Sequence, residues 1–116
     1  MDINVITITG NLTKDITVRN VSYGTGDNKV ETKVANFSIG CDYRKDKVVY
    51  PNCVAWGRTA EFMEQYLNCK GMGVIITGHL VDDSYTDANG QKQYRLAIAV
   101  DQLKPLNAKS DESPWA

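Results

Sequence analysis

The stretch from Val48 to Gly71 joins a strand to the only convincing helix of the chain, and the sequence on both sides of it alternates in the manner of strands. One short helix set among strands leaves few layer architectures open. Along the strand, a side-chain period of two puts Tyr50, Asn52, Val54 and Trp56 on one face and Val49, Cys53 and Ala55 on the other. The second face is small and apolar, which suits a core. Two large aromatics then remain on the first. Parity allows two readings of them. Either they fill a core on a strand buried from both sides, or they form an exposed platform of the kind on which single-stranded bases stack.

The helix carries its own signals. Gly57-Arg58-Thr59 ends the strand, and Thr59 is the expected N-cap. Glu61 in the first turn complements the helix dipole. Ala60, Met63 and Leu67 follow helical spacing with Phe62 and Tyr66 beside them, so these side chains read as packing. Lys70-Gly71 is the expected stop. A helix this short is expected to plug one end of a larger body.

The remaining elements follow in order. Asp2 to Gly10 alternates, Gly10-Asn11 is expected to break it, and Ile16 to Tyr23 resumes it, a pattern that suggests a bend at a barrel corner. Lys33 to Tyr43 sets Ala35, Phe37, Ile39 and Cys41 against Asn36, Ser38, Gly40 and Asp42. Its tip carries Tyr43, Arg44, Lys45 and Lys47, which is either a solvated hairpin end or a phosphate-contacting finger. Val48 to Trp56 is expected to return as one antiparallel strand. Gly73 to Leu80 turns Val74, Ile76 and Leu80 to one side. Asn89-Gly90 is a hairpin signal, and Gln93 to Val100 alternates through Tyr94, Leu96, Ile98 and Val100. Lys104-Pro105 is expected to end the last strand. Residues 1–104 therefore form one domain, and 105–116 a polar, disordered tail holding Trp115.

Several function classes are disfavoured. The net charge of −1 argues against coating duplex DNA by bulk positive charge, though a local basic groove is compatible with it. Cys41, Cys53 and Cys69 contain no CxxC, and His79 is the only histidine, so no zinc set can be assembled. Cys41 and Cys53 read as buried thiols, which suits a reducing compartment. There is no charged-then-apolar leader and no apolar run near the ~18 residues of a membrane span, so a cytoplasmic, nucleoid-associated location is expected. The GxG of Tyr23 to Asn28 lacks the Gly-Lys-Ser/Thr of a phosphate loop. The acidic group Asp82, Asp83 and Asp87 lacks the spacing and closing Glu of a calcium loop and reads as a solvated hairpin tip. No cofactor and no catalytic residues are expected.

With the interrupted first strand counted once, the order is strand, strand, strand, helix, strand, strand. That is the layout of the five-stranded OB-fold barrel, an all-β fold with one short helix, which binds oligonucleotides across its second and third strands. Those strands carry Tyr43, Tyr50 and Trp56, and the following hairpin carries Tyr85. Arg44, Lys45, Lys47 and Arg58 lie near them, and Arg19 and Lys70 extend the set.

The chain also resembles the bacterial-type single-stranded DNA-binding proteins. The matching stretches are Gly10-Asn11-Leu12 with Val18-Arg19, Val34-Ala35-Asn36-Phe37, Val54-Ala55-Trp56-Gly57 with Ala60-Glu61, and Tyr66-Leu67. Lys70-Gly71, Ile76-Thr77-Gly78 and Tyr85-Thr86-Asp87 with Gly90 complete the match, which runs from about Asn4 to about Leu103. The resemblance implies a homotetramer that wraps single strands with little sequence preference in replication, recombination or repair. It places Tyr50, Trp56 and Tyr85 on stacking positions, Tyr43 near another, and Arg19, Arg58 and Lys70 on phosphate-contacting ones. Three departures stand out. Asp82 and Asp83 occupy positions where relatives often carry cations, just before the hairpin aromatic. Tyr50 and Tyr85 are tyrosines where many relatives have Trp or Phe. The long linker and acidic tip are reduced to Asp111–Ala116, as in short accessory forms, with Trp115 as a possible contact for replication or repair proteins. The rival readings are a primosome-type OB module whose aromatic face meets protein, and a small OB-fold nuclease, which would need an acid, base and arginine around a metal.

Overall fold

The computed structural model describes residues 1–24 and 26–106. Trp115 and the tail beyond 106 lie outside the described residues, as does Thr25. The strands are β1 (Ile6–Leu12), β2 (Val18–Tyr23), β3 (Val30–Arg44), β4 (Lys47–Val49), β5 (Asn52–Trp56), β6 (Gly73–Asp82), β7 (Tyr85–Thr86), β8 (Lys92–Gln93) and β9 (Leu96–Pro105). The helix α1 (Arg58–Tyr66) stands between β5 and β6, and a short 3-10 turn (Gly26–Asn28) precedes β3.

The sheet runs β1-β6-β9-β5-β3-β2, and β1 also pairs with β3 through Asn11↔Gly40 and Leu12↔Ile39. That second pairing closes the sheet on itself. With β1 and β2 counted as one interrupted strand, and β4 and β5 as another, this is the five-stranded OB barrel with its helix in the expected place. β5 and β9 are parallel neighbours (Cys53↔Ile98), and the other pairs are antiparallel. The core is built from the inward faces: Leu12, Ala35, Ile39, Cys53, Ala55, Val74, Ile76, Ile98 and Val100 are buried. Ala60, Met63 and Leu67 of the helical segment close one end of it.

Glycine makes the closure possible at two close approaches. A Cβ on Gly10 would lie 2.7 Å from the Gly40 carbonyl oxygen, where β1 crosses onto β3. One on Gly78 would lie 2.1 Å from the Ala99 carbonyl oxygen, beside the bulge of β9 opposite Thr77/Gly78. Neither distance is compatible with a side chain, so these strands touch backbone to backbone. Gly10 therefore does not break the first strand: β1 passes through it to Leu12, and the interruption falls between Leu12 and Val18.

The other boundaries also shift for physical reasons. The expected strand Val48–Trp56 is split at Tyr50-Pro51, because proline has no N–H to offer the ladder; β4 pairs only with β3, and β5 pairs with both β3 and β9. The helix is preceded by Gly57 at φ 59°, not capped by Thr59, which lies inside it. It ends at Tyr66, ahead of Lys70-Gly71, and Gly71 (φ 91°) instead turns the chain so that its N–H donates to the Leu12 carbonyl at 2.8 Å. The end of β9 falls where expected: Pro105 is the last residue of the strand, where β5 no longer runs alongside. Tyr66 is largely exposed, resting on Phe62 at a centroid distance of 5.1 Å. Cys41 is half-buried and only Cys53 is fully enclosed; burial pushes the Cys53 thiol up to about 12, so it stays protonated and unreactive. Leu80 and Leu96, which alternation sets on the same faces as buried Ile76 and Ile98, are 39% and 61% exposed.

Candidate nucleic-acid interface

The two readings of Tyr50 and Trp56 separate at once. Cys53 and Ala55 are 2% and 0% exposed, whereas Trp56 is 50% and Tyr50 62% exposed. The aromatic face is the outer one. Register sets what lies beside it. Arg19 of β2 pairs with Val34 of β3, and Val34 pairs with Trp56 of β5. Directly opposed residues share a face, so Arg19, Val34 and Trp56 form a row across three strands at about 4.8 Å per strand. Val34, the middle member of the row, is itself buried. A cation and an exposed indole are thus fixed by the barrel's own ladder.

This row opens on a groove of about 780 Å³. Lys14, Arg19, Trp56 and Arg95 bring three cations and a ring to it; Asp15, Asp82 and Asp83 bring carboxylates. Each carboxylate is engaged. Asp15 accepts the Lys70 backbone N–H at 2.8 Å, Asp82 accepts both the N–H and the hydroxyl of Ser84, and Asp83 accepts Arg95 Nε at 2.7 Å. The Ser84 hydroxyl, then its N–H, holds the Asp82 carboxyl below its ordinary value. Among the described residues no group of His, Cys, Asp or Glu could hold a metal ion.

The other sequence-derived positions are distributed around this groove rather than gathered in it. Tyr50 follows Val49, which pairs with Cys41, and its ring lies over Gly40: two ring carbons sit 3.3 and 3.6 Å from where a Gly40 Cβ would be. The missing side chain lets the ring settle on the backbone. Tyr50 lies in the break between β4 and β5, about 20 Å along the chain from Trp56. Tyr43 is the extra residue of a bulge between Asp42 and Arg44 and is 61% exposed. With Arg44, Lys45 and Lys47 it forms an exposed tip; β4 has no partner but β3, so the tip projects past the closed barrel. Arg58 opens the helix and lines a separate cleft of about 310 Å³ with Thr59, Phe62 and Asp101. Lys70 is exposed at the groove rim beside Asp15.

Tyr85 stands on the β7–β8 hairpin, where Arg95 covers its ring with the guanidinium carbon 4.7 Å from the centroid. Sequence reasoning missed Arg95 and also Tyr94, which is 79% exposed under Lys92 at 5.2 Å. The signal for Arg95 was present in the hairpin. A turn at Asn89-Gly90 that pairs Tyr85 with Gln93 also pairs Asp83 with Arg95.

The chain matches the family model described as "Single-strand binding protein family" over residues 3–106. A single-stranded DNA-binding protein of Wolinella succinogenes is 33% identical over 107 residues, which cover 91% of this chain and 65% of that protein. One of Clostridium perfringens is 30% identical over 102 residues, covering 86% of this chain and 63% of the relative. One of Helicobacter hepaticus is 30% identical over 122 residues, covering 97% and 67%. The chain thus spans about two thirds of the length of these relatives.

Proposed function

The chain belongs to the single-strand binding protein family, and from that membership we propose that it binds single-stranded DNA independently of sequence and without catalysis, protecting it during replication, recombination or repair. The observation that carries the reading is the row Arg19–Val34–Trp56: a half-exposed indole with a cation two strands away, on the outer face of a closed barrel. Bases leave one another and stack on Trp56, then on Tyr85 and Tyr50, with Tyr43 reaching a strand that continues over the β3–β4 tip. Each such contact tolerates any base, since every base offers a π face. Arg19, Arg44, Lys45, Lys47, Arg58 and Lys70 track the phosphates. Contact there releases counterions, so affinity falls as salt rises. The small net charge is no obstacle, because the field a strand meets depends on how charges are arranged and not on their sum.

Homotetrameric assembly and a cytoplasmic setting belong to the same proposal. Asn4 brackets the Leu80 backbone with two hydrogen bonds of 2.9 Å, which sets Ile3 and Val5 alongside β6. Ile3, Val5, Leu80 and Leu96 remain exposed at that end of the β6–β9 ribbon, an apolar surface that a second copy would cover. Among the described residues no helix is long and apolar enough to cross a membrane.

The test is tryptophan fluorescence during titration with a dT oligomer and with a matched duplex, at several salt concentrations, using a Trp115→Phe variant to isolate Trp56. Quenching by the single strand alone, weakening with salt, is expected. Absence of both quenching and binding would transfer the aromatic face to a protein partner, as in a primosome-type module.

A further inference from the structure

We propose that Arg95 is a strand-contacting cation of the groove and that Asp83 is the residue that positions it; the inference rests on the single-strand reading above. Asp82 and Asp83 stand just before the hairpin aromatic Tyr85. Taken alone, two carboxylates at the neck of the hairpin would repel a phosphate backbone. The structure puts a cation there from the opposite strand. The Asp83 N–H donates to the Arg95 carbonyl at 3.0 Å, and Arg95 Nε donates back to Asp83 Oδ2 at 2.7 Å. The same guanidinium lies over Tyr85 at 4.7 Å. Two side-chain contacts, one carboxylate and one ring, above a backbone pairing therefore fix a side chain that is still 48% exposed and lines the groove with Trp56 and Arg19.

The donor inventory supports the assignment. A guanidinium has five N–H donors in a fixed fork. Asp83 takes the one on Nε, and the Nη hydrogens make no hydrogen bond among the described residues. They are the donors suited to a phosphate oxygen. Asp83 then works as an aligning group: it spends one negative charge to hold a planar cation at the groove mouth, on the ring that the strand's bases use.

The sign of one substitution separates this from simple charge bookkeeping. If the hairpin neck acts only through its net charge, Asp83→Asn removes a negative group and tightens binding. On the present assignment it releases Arg95 and weakens binding to a dT oligomer about threefold, whereas in an Arg95→Ala background it no longer weakens it. Arg95→Ala itself is expected to lower affinity about tenfold at low salt and to make the log–log salt slope shallower by about 0.7, one phosphate contact for a single strand. Arg95→Lys keeps the charge and should keep the slope while losing part of the affinity. All variants are read beside the unmodified protein, with circular dichroism melts; should Arg95→Ala fail to fold, Arg95→Gln takes its place with the same expectation. An unmodified protein that fails to bind the oligomer overturns both this inference and the single-strand reading. Tight, salt-sensitive binding by the unmodified protein, with affinity and slope unchanged in Arg95→Ala or tighter binding in Asp83→Asn alone, overturns this inference and leaves that reading standing.

Discussion

The barrel row and the hairpin each bring a cation to the same groove and hold an exposed aromatic with it, but they hold them by different means. Trp56 and Arg19 take their places from strand register, with buried Val34 between them and the closed sheet around them. Tyr85 and Arg95 sit on a ribbon whose β7 and β8 pair only with each other. Its geometry comes from side chains: Asp82 to Ser84, Asp83 to Arg95, and Asp87 to the N–H groups of Asn89 and Gln91. A position held by packing resists local change and fails only with the fold. A position held by exposed polar contacts adapts to a ligand and is lost piecemeal.

The most severe way to break the contrast is to attack the barrel's plug. Met63 is fully buried at the closed end, so Met63→Ala should cost about 2–5 kcal/mol of stability. Urea unfolding followed by circular dichroism measures it. Both regions should fail together, because the hairpin has no core of its own; a hairpin that survives the loss of the barrel would contradict the dependence argued here.

Smaller and more selective effects come from the two rings. Trp56→Ala should weaken dT-oligomer binding by about 1–3 kcal/mol with the fold intact. Tyr85→Ala should fall at the lower end of that range, since its ring is already partly covered by Arg95. Isothermal titration of the two variants under one buffer compares them directly. Equal losses at both positions would mean that the covering guanidinium does not compete with a base for the ring.

The same contrast marks what was legible in the sequence. Order and type of the elements follow from local periodicity, so the barrel, its helix and the outward aromatic face of β5 could all be read or narrowed to two choices. Parity tells which residues share a face but not how far the cover over that face extends. Leu96 lies where the β6–β9 ribbon outruns its pairing with β5, Leu80 stands two residues from the end of β6, Tyr94 lies in the link between β8 and β9, and all three are exposed. Arg95 depends on hairpin register, a pairing between positions that no periodicity links. Gly10 looked like a strand break because glycine weakens strands, yet its function here is to let two backbones meet. Tyr50-Pro51 split a strand that alternation had joined.

The smallest expected effect is a difference in acid sensitivity. Among the described residues the barrel buries no polar or charged side chain, so its packing has no ionisable group to protonate. The hairpin is built on carboxylates. The Gln91 N–H, then the Gln93 side chain and the Asn89 N–H, hold Asp87 below its ordinary value, and Ser84 does the same for Asp82. A carboxyl depressed in the folded state binds its proton more readily in the unfolded one. Its contribution is therefore fully present above the ordinary carboxylate pKa of 3.8 and is lost as pH falls through the folded-state value. Neutral and mildly acidic solutions should leave both regions alike. In stronger acid, amide exchange at Ser84, Asn89 and Gln91 should quicken while Ile39 and Ile76 stay protected. Loss of protection at all five positions at one pH would mean that the hairpin and the barrel are a single cooperative unit. Separate losses would show that the groove has one wall set by the fold and another set by a handful of exposed hydrogen bonds.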